Sequence, residues 1–299
     1  MSDRASPWVI GCLVMAGLAT AVFSLIVLLV IFGGGIESTS PASFLSAERV
    51  GRIDLLGPIE ESEEFLEELQ RHSRDPRIKA LVVRIDSPGG GVAPSQEMYA
   101  GLRRFQAEEG RPVVVSVGNV AASGGYYVAC ASDQIVTEGG SLIGSIGVIW
   151  SFADVSGLME KLGIRIEVVK AGRQKDVGAY WRAMTDEERA GLEATLRDVH
   201  TQFIEVVALE RALEQGAVRE LADGRIFSGR QAIELGLADT VGGLEEARAL
   251  AARLAGISED TPFEEKRRFE PNWFSQWSAT SRWLRGAMEA TPRLEYRMR

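Results

Sequence analysis

The sequence predicts an α/β domain built from βαβ units around a largely parallel sheet, preceded by one N-terminal transmembrane helix. Three observations predict it. From about Glu48, short β-branched runs such as Ile78–Ile85 (IKALVVRI) alternate with helical stretches; glycine-rich turns close two of the strands; and no charged residue occurs from Ala5 to Ile36. The 299 residues are 45% hydrophobic and 25% charged, which excludes a disordered chain, a collagen-like fibre and a small disulfide-stapled module. Thirty-three Lys and Arg against 42 Asp and Glu leave a net charge of −9, so the chain as a whole repels a phosphate backbone and nucleic acid is not an expected partner. Two Cys and two His cannot supply a structural zinc site, and no metal or other cofactor is expected, although an all-carboxylate magnesium or calcium site stays open.

Trp8 to Phe32 is apolar except for Gly11, Gly17, Thr20 and Ser24. At ~1.5 Å per residue that is about 37 Å of helix, enough to span a bilayer. The run is about twice the length of a signal-peptide core and no clean A-x-A follows it, so residues 8–32 are expected to be a retained anchor. Cys12 precedes the hydrophobic run where a lipoprotein box would follow one. Arg4 lies on one side and Glu37 on the other, so the positive-inside rule makes this a single-pass protein of the cytoplasmic membrane with its bulk outside the cytoplasm. Cys130 is then alone on that side, and an intramolecular disulfide is impossible. Residues 33–47, with GGG, Ser, Thr and Pro41, have linker composition.

One domain is expected over residues 48–256. Ile78–Ile85 reads as a buried strand, DSPGGG at 86–91 as a tight turn, Ser95–Glu109 as a helix and Pro112–Val117 as the next strand. Ser123–Ala131 begins a helix. Further strands are expected at Gln134–Thr137, Ile143–Ile149 and Ile164–Val169, with a helix at Val155–Leu162 between the last two. Thr185 and Glu188 form a capping box that opens a long helix to about Gln215, and helices follow near Gly229–Leu235 and Leu244–Leu254. The tail, 257–299, differs in chemistry: Lys266–Arg299 carries eight Lys and Arg against three Glu, with Trp273, Trp277 and Trp283. Such a segment suits an anionic membrane surface or a neighbouring subunit; a free terminus or a helix packed on its own domain fits equally well.

A hydrolytic nucleophile needs a hydroxyl or thiol at a strained strand-to-helix turn, bare N–H groups beside it and a base in reach. Asn119–Tyr127 (NVAASGGYY) offers the first two, with Ser123 opening the helix and Gly124 and Gly125 leaving it unshielded. A lone Ser before a helix is more often only an N-cap. The turn Asp86–Gly91 shifts the balance, because its backbone can present the amide of Gly89 or Gly90 opposite that of Gly124 as an oxyanion hole. An ordinary βα turn has the same look. For the base, His72 lies in the polar segment RHSRDPR, which reads as a surface turn, and His200 falls inside the long helix. Of the five lysines, Lys170 ends a strand and Lys175 follows in the loop AGRQKDVGA, which makes Lys175 the strongest candidate. To serve near neutral pH its amine must give up its proton well below the ordinary ~10.4, at a cost of about 4 kcal/mol that apolar burial could supply. Against this, a loop lysine is usually a solvated charge, and a carboxylate of Asp176 turned the same way would oppose the change.

The anchor together with DSPGG at 86–90, AASGGYY at 121–127, GSIGVI at 144–149 and GRQKD at 172–176 strongly resembles bacterial signal peptide peptidase A in its short, single-anchor form. Asp223–Ala232 and Gly236–Asp239 resemble the closing segment of that family, and the likeness covers about residues 48–250. It implies a ClpP/crotonase-like fold and a Ser-Lys dyad that cleaves remnant signal peptides at the membrane without a cofactor. Ser123 matches the nucleophile, Lys175 the general base, and Ser145 the serine that orients the lysine. Gly89 matches the oxyanion donor beside Gly124. It further implies a homo-oligomer in which neighbouring subunits complete each site, acting on extended, mostly apolar peptides. A crotonase-type acyl-CoA enzyme shares the glycine-rich turns, and a membrane scaffold without turnover would keep the fold; both are alternatives.

Overall fold

A computed structural model describes Val22, residues 47–264 and the backbone of 295–297. The expected anchor at 8–32, the linker as far as residue 46 and most of the basic aromatic tail lie outside the described residues. Among those described, no helix is long and apolar enough to cross a membrane.

The body begins with β1 (Arg49–Leu56) and α1 (Glu63–Arg74), continues through β2 (Ile78–Ser87), a short β3 (Gly89–Gly91) and α2 (Val92–Glu109), and reaches β4 (Val113–Ala122) and α3 (Gly124–Ala129). After β5 (Gln134–Thr137) and β6 (Leu142–Gly144) come α4 (Ser156–Lys161), the long α5 (Asp186–Glu210) and α6 (Gln215–Leu221). The remaining elements are β7 (Ile226–Ser228), α7 (Gly229–Glu234), β8 (Thr240–Val241), α8 (Leu244–Leu254) and β9 (Glu295–Arg297). Strands β1, β2, β4, β5 and β8 pair in that order, all parallel; β6 pairs with the far end of β4, and β7 joins β6 antiparallel.

Both faces of the sheet are covered, as a parallel sheet requires, so its strands read as almost unbroken apolar runs. Along β2, Leu81, Val83 and Ile85 face a large core containing Phe105, Tyr126 and Phe203, while Ala80 and Val82 face the second core. There α8 buries Ala247, Ala251 and Ala252, small enough for the helix to lie close to Val50, Val114 and Val136, with Leu244 and Leu250 partly buried against the same core. Tyr126 is fully buried, and its hydroxyl donates to the Leu237 carbonyl at 2.8 Å, fastening α3 to the Gly236–Asp239 segment.

Four expectations need correction. Ile164–Val169 forms no strand: it has no sheet partner and Ile164, Ile166, Val168 and Val169 are exposed. The strand expected at 143–149 ends at Gly144, because Gly144 (φ 104°) and Ser145 (φ 51°) both turn left-handed. The long helix stops at Glu210 rather than near residue 215, with Ala212 at φ 51° just beyond it. His72 is not on a surface turn: it is buried in the last turn of α1, Nε2 3.3 Å from the Arg52 carbonyl and Nδ1 3.1 Å from the Glu264 carboxylate.

Candidate active site

Ser123 stands between β4 and α3 at φ 54°, ψ −121°, a conformation that costs a side-chain-bearing residue of order 1–3 kcal/mol and persists only where the surroundings impose it. The surroundings do so from both sides: the Ser123 amide donates to the Gly144 carbonyl at 2.7 Å, and the Ser123 carbonyl accepts from the Tyr127 amide at 2.9 Å. The N-cap alternative fails. The hydroxyl makes no capping bond to α3, and its Oγ is buried without a hydrogen-bond partner among the described residues. A buried hydroxyl with no partner forgoes about 1–3 kcal/mol, a cost that fits a group held ready for a reacting partner rather than one built for stability.

The second serine lies alongside. Pairing of Ala122 with Gly144 sets Ser123 and Ser145 on neighbouring strand ends, and Ser145 is itself left-handed, buried and held by its amide on the Arg225 carbonyl at 2.8 Å. Among the described residues only Ala212 shares this backbone region without being glycine. Ser145 opens onto a cavity of about 1000 Å³ lined by Leu142, Val148, Leu196, His200 and Arg225. Sequence reasoning had set His200 aside as an ordinary helical residue; the structure places it on the wall of the cavity that Ser145 shares.

The two glycine-rich turns meet. A Cβ on Gly125 would lie 2.9 Å from the Ser87 carbonyl oxygen, so only glycine lets α3 start this close to the Asp86–Gly91 turn. Gly89 adopts φ 94°, and in the free chain its amide donates to the Ser87 hydroxyl at 3.1 Å. Strand β9 pairs antiparallel with β3, Gly89 opposite Arg297, Gly90 opposite Tyr296 and Gly91 opposite Glu295. The Gly89–Gly91 edge therefore pairs with an extended segment through its backbone.

Lys175 makes no hydrogen bond to the Ser123 hydroxyl in this single chain. It is exposed, in the loop after the unpaired 164–169 segment, whereas Ser123 is buried and its hydroxyl unpartnered. The loop around it is nevertheless ordered by charge. Asp176 turns to Lys170 and to Arg182 (2.9 Å) rather than to Lys175, and Arg182 reaches on to Glu188 at the start of α5 (Nη1 to Oε2, 2.8 Å). Hydrogen bonds from Arg182 and then Lys170 hold the Asp176 carboxyl well below the usual range, and Arg182 holds Glu188 down to about 2. Arg182→Ala is expected to lower kcat roughly tenfold by loosening the lysine's support, and to speed protease nicking between residues 170 and 180. Unchanged turnover and unchanged nicking would show that the network does not position Lys175.

The thiol offers no competing nucleophile: burial pushes Cys130 up to about 12, which keeps it protonated. Among the described residues no group of three His, Cys, Asp or Glu could hold a metal ion.

Comparison with known proteins gives the family. The description Peptidase family S49 matches residues 106–258. A relative from Synechocystis sp., named as a candidate protease, is 40% identical over 221 residues, covering 74% of this chain and 79% of its own. A candidate signal peptide peptidase SppA from Enterococcus faecium is 35% identical over 202 residues, 68% of this chain and 58% of that protein. The chloroplastic serine protease SPPA of Arabidopsis thaliana is 36% identical over 197 residues, 66% of this chain and 29% of its own length. With a family match across half its length and a strained, unpartnered serine at the head of α3, this chain belongs to peptidase family S49 and is a serine protease.

Proposed function

We propose that the protein is a membrane-anchored endopeptidase in which Ser123 attacks, Lys175 of a neighbouring copy serves as general base, and the substrates are extended apolar peptides such as remnant signal peptides. The observation that carries this reading is Ser123, left-handed in its backbone, with its hydroxyl buried and without a hydrogen-bond partner among the described residues. A neutral lysine amine placed against it takes its proton as Oγ attacks the peptide carbonyl. The Gly124 amide, with that of Gly89 once released from Ser87, receives the developing oxyanion. The protonated amine then delivers its proton to the leaving nitrogen, and water repeats the sequence to free the acyl group. Ser145 orients the amine.

A second copy is invoked because one chain leaves Lys175 in water and Ser123 without a partner. The segment before the lysine exposes Leu158, Leu162, Ile164, Ile166, Val168 and Val169, an apolar row of the kind that subunit contacts cover. Its alternating pattern is that of a strand whose partner lies outside the chain. The membrane attachment rests on the apolar run 8–32, and the substrate class on the family and on the strand-accepting Gly89–Gly91 edge.

Since β9 occupies that edge, removal of residues 292–299 is expected to raise kcat/KM for a leader peptide about three- to tenfold, mainly through KM, because a competing strand is lost. Equal KM in the truncated and full chains would mean that β9 does not sit in the substrate's place.

The reading is tested by incubating the full-length protein with synthetic leader peptides and mapping the cuts by mass spectrometry, with a serine-reactive phosphonate as active-site label. Cleavage inside the apolar segment together with an adduct on Ser123 supports it. An enoyl-CoA turned over by Ser123→Ala at the full rate would favour the acyl-CoA alternative, and no turnover with no adduct would favour the scaffold.

A further inference from the structure

Resting on the assignment of Ser123 and the Gly89 and Gly124 amides, we infer that Asp86 is a positioning residue that sets the distance between the two halves of the oxyanion hole. The two amides come from different strands, Gly89 from the end of β2 and Gly124 from the end of β4. Pairing between these strands is regular as far as Ile85 opposite Val117, and then jumps to Ser87 opposite Ala121. Two residues of β2 thus face four of β4, and Gly118, Asn119 and Val120 are pushed out of register.

The Asp86 side chain fills the gap left by this slip. Its Oδ2 accepts from Asn119 Nδ2 at 2.7 Å and its Oδ1 from the Val120 amide at 3.2 Å. Gly118 makes the room, since a Cβ there would lie 2.9 Å from Asp86 Cβ and Cγ. From the other side, the Gly118 carbonyl accepts from the Ser141 hydroxyl at 2.7 Å, and the Asp86 carbonyl accepts from the Gly57 amide at 2.9 Å. One carboxylate therefore fixes the step between β2 and β4, at Asp86 one residue before Ser87 and at Val120 three residues before Ser123. Moving the step by a single residue would shift one amide about 3.3 Å past the other and reverse the facing of the side chains. An oxyanion hole tolerates far less than that. Asp86 touches neither substrate nor the reacting atoms; it acts through the backbone of β4.

The test is to measure Asp86→Ala, Asp86→Asn and Asn119→Ala in the full-length protein for kcat and KM on one leader peptide, for phosphonate labelling of Ser123, and for thermal unfolding. Asp86→Ala is expected to lose about 30- to 100-fold in kcat and in labelling rate with KM within threefold. Asp86→Asn keeps an oxygen for the Val120 amide and should recover at least tenfold of that loss. Asn119→Ala, altered only at an exposed side chain, should stay folded and lose about three- to tenfold in kcat. Wild-type rates in Asp86→Ala, or in Asn119→Ala should the aspartate variant not fold, would overturn the inference, as would a loss matched by a rise in KM. A wild-type protein that never labels at Ser123 would instead overturn the site assignment on which it rests.

Discussion

Ser123→Ala is expected to lower kcat/KM for a leader peptide by about 10⁴- to 10⁶-fold while leaving the fold intact, because the proposed mechanism forms the acyl bond on its hydroxyl. The structure narrows the alternatives. Burial keeps the Cys130 thiol protonated, and Ser145, on the neighbouring strand end, has its amide tied to the Arg225 carbonyl. The variant should also be no less stable than the wild type, since it removes a hydroxyl that is buried without a partner and gives up no capping bond. Measured stability and activity should therefore part company: unfolding at or slightly above the wild-type temperature, with turnover near background. A loss of activity smaller than a hundredfold would place the nucleophile elsewhere.

Lys175→Ala should approach the same loss, about 10³- to 10⁵-fold in kcat, with phosphonate labelling of Ser123 falling in parallel. His200 supplies the internal control, because it borders the cavity that Ser145 opens onto. His200→Gln is expected to keep kcat within about threefold of the wild type, and a loss as deep as that of Lys175→Ala would transfer the role of base to the imidazole.

Much of the fold is legible because burial on both faces leaves a simple mark. β2, β4 and β5 are runs of β-branched residues with no polar face to confuse them, and the capping box at Thr185 and Glu188 marks the start of α5 and is present in the structure. β1 is harder to read, since Arg52 and Asp54 on an edge strand interrupt the apolar run, and with it the burial of His72 goes unnoticed. The 164–169 segment shows the limit of periodicity: alternation reports that one face is to be covered, and says nothing about whether the cover lies in the same chain. β9 is out of reach because Glu295–Arg297 is a three-residue strand in a basic tail, with no apolar run to mark it.

The site divides in the same way. Ser123 could be singled out by its place between a strand and two glycines, and its left-handed backbone is the physical content of that pattern. Ser145 rests on the family likeness, which also chooses Gly89 over Gly90, whereas Lys175 stands out among the five lysines by its place in the AGRQKDVGA loop. Asp86 escapes sequence reasoning entirely, because an aspartate before a Ser-Pro-Gly-Gly turn looks like a turn former until the register slip between β2 and β4 is seen.

The most direct test of a dyad shared between copies is to co-express Ser123→Ala and Lys175→Ala chains carrying different affinity tags, isolate the mixed assembly, and titrate it with the phosphonate while following peptide turnover. Each variant alone should be inert; random mixing should regain about a quarter of the wild-type sites, since each site draws its serine from one copy and its lysine from the next. A mixed assembly as inert as its parents would contradict the pairing of Ser123 with a neighbour's Lys175.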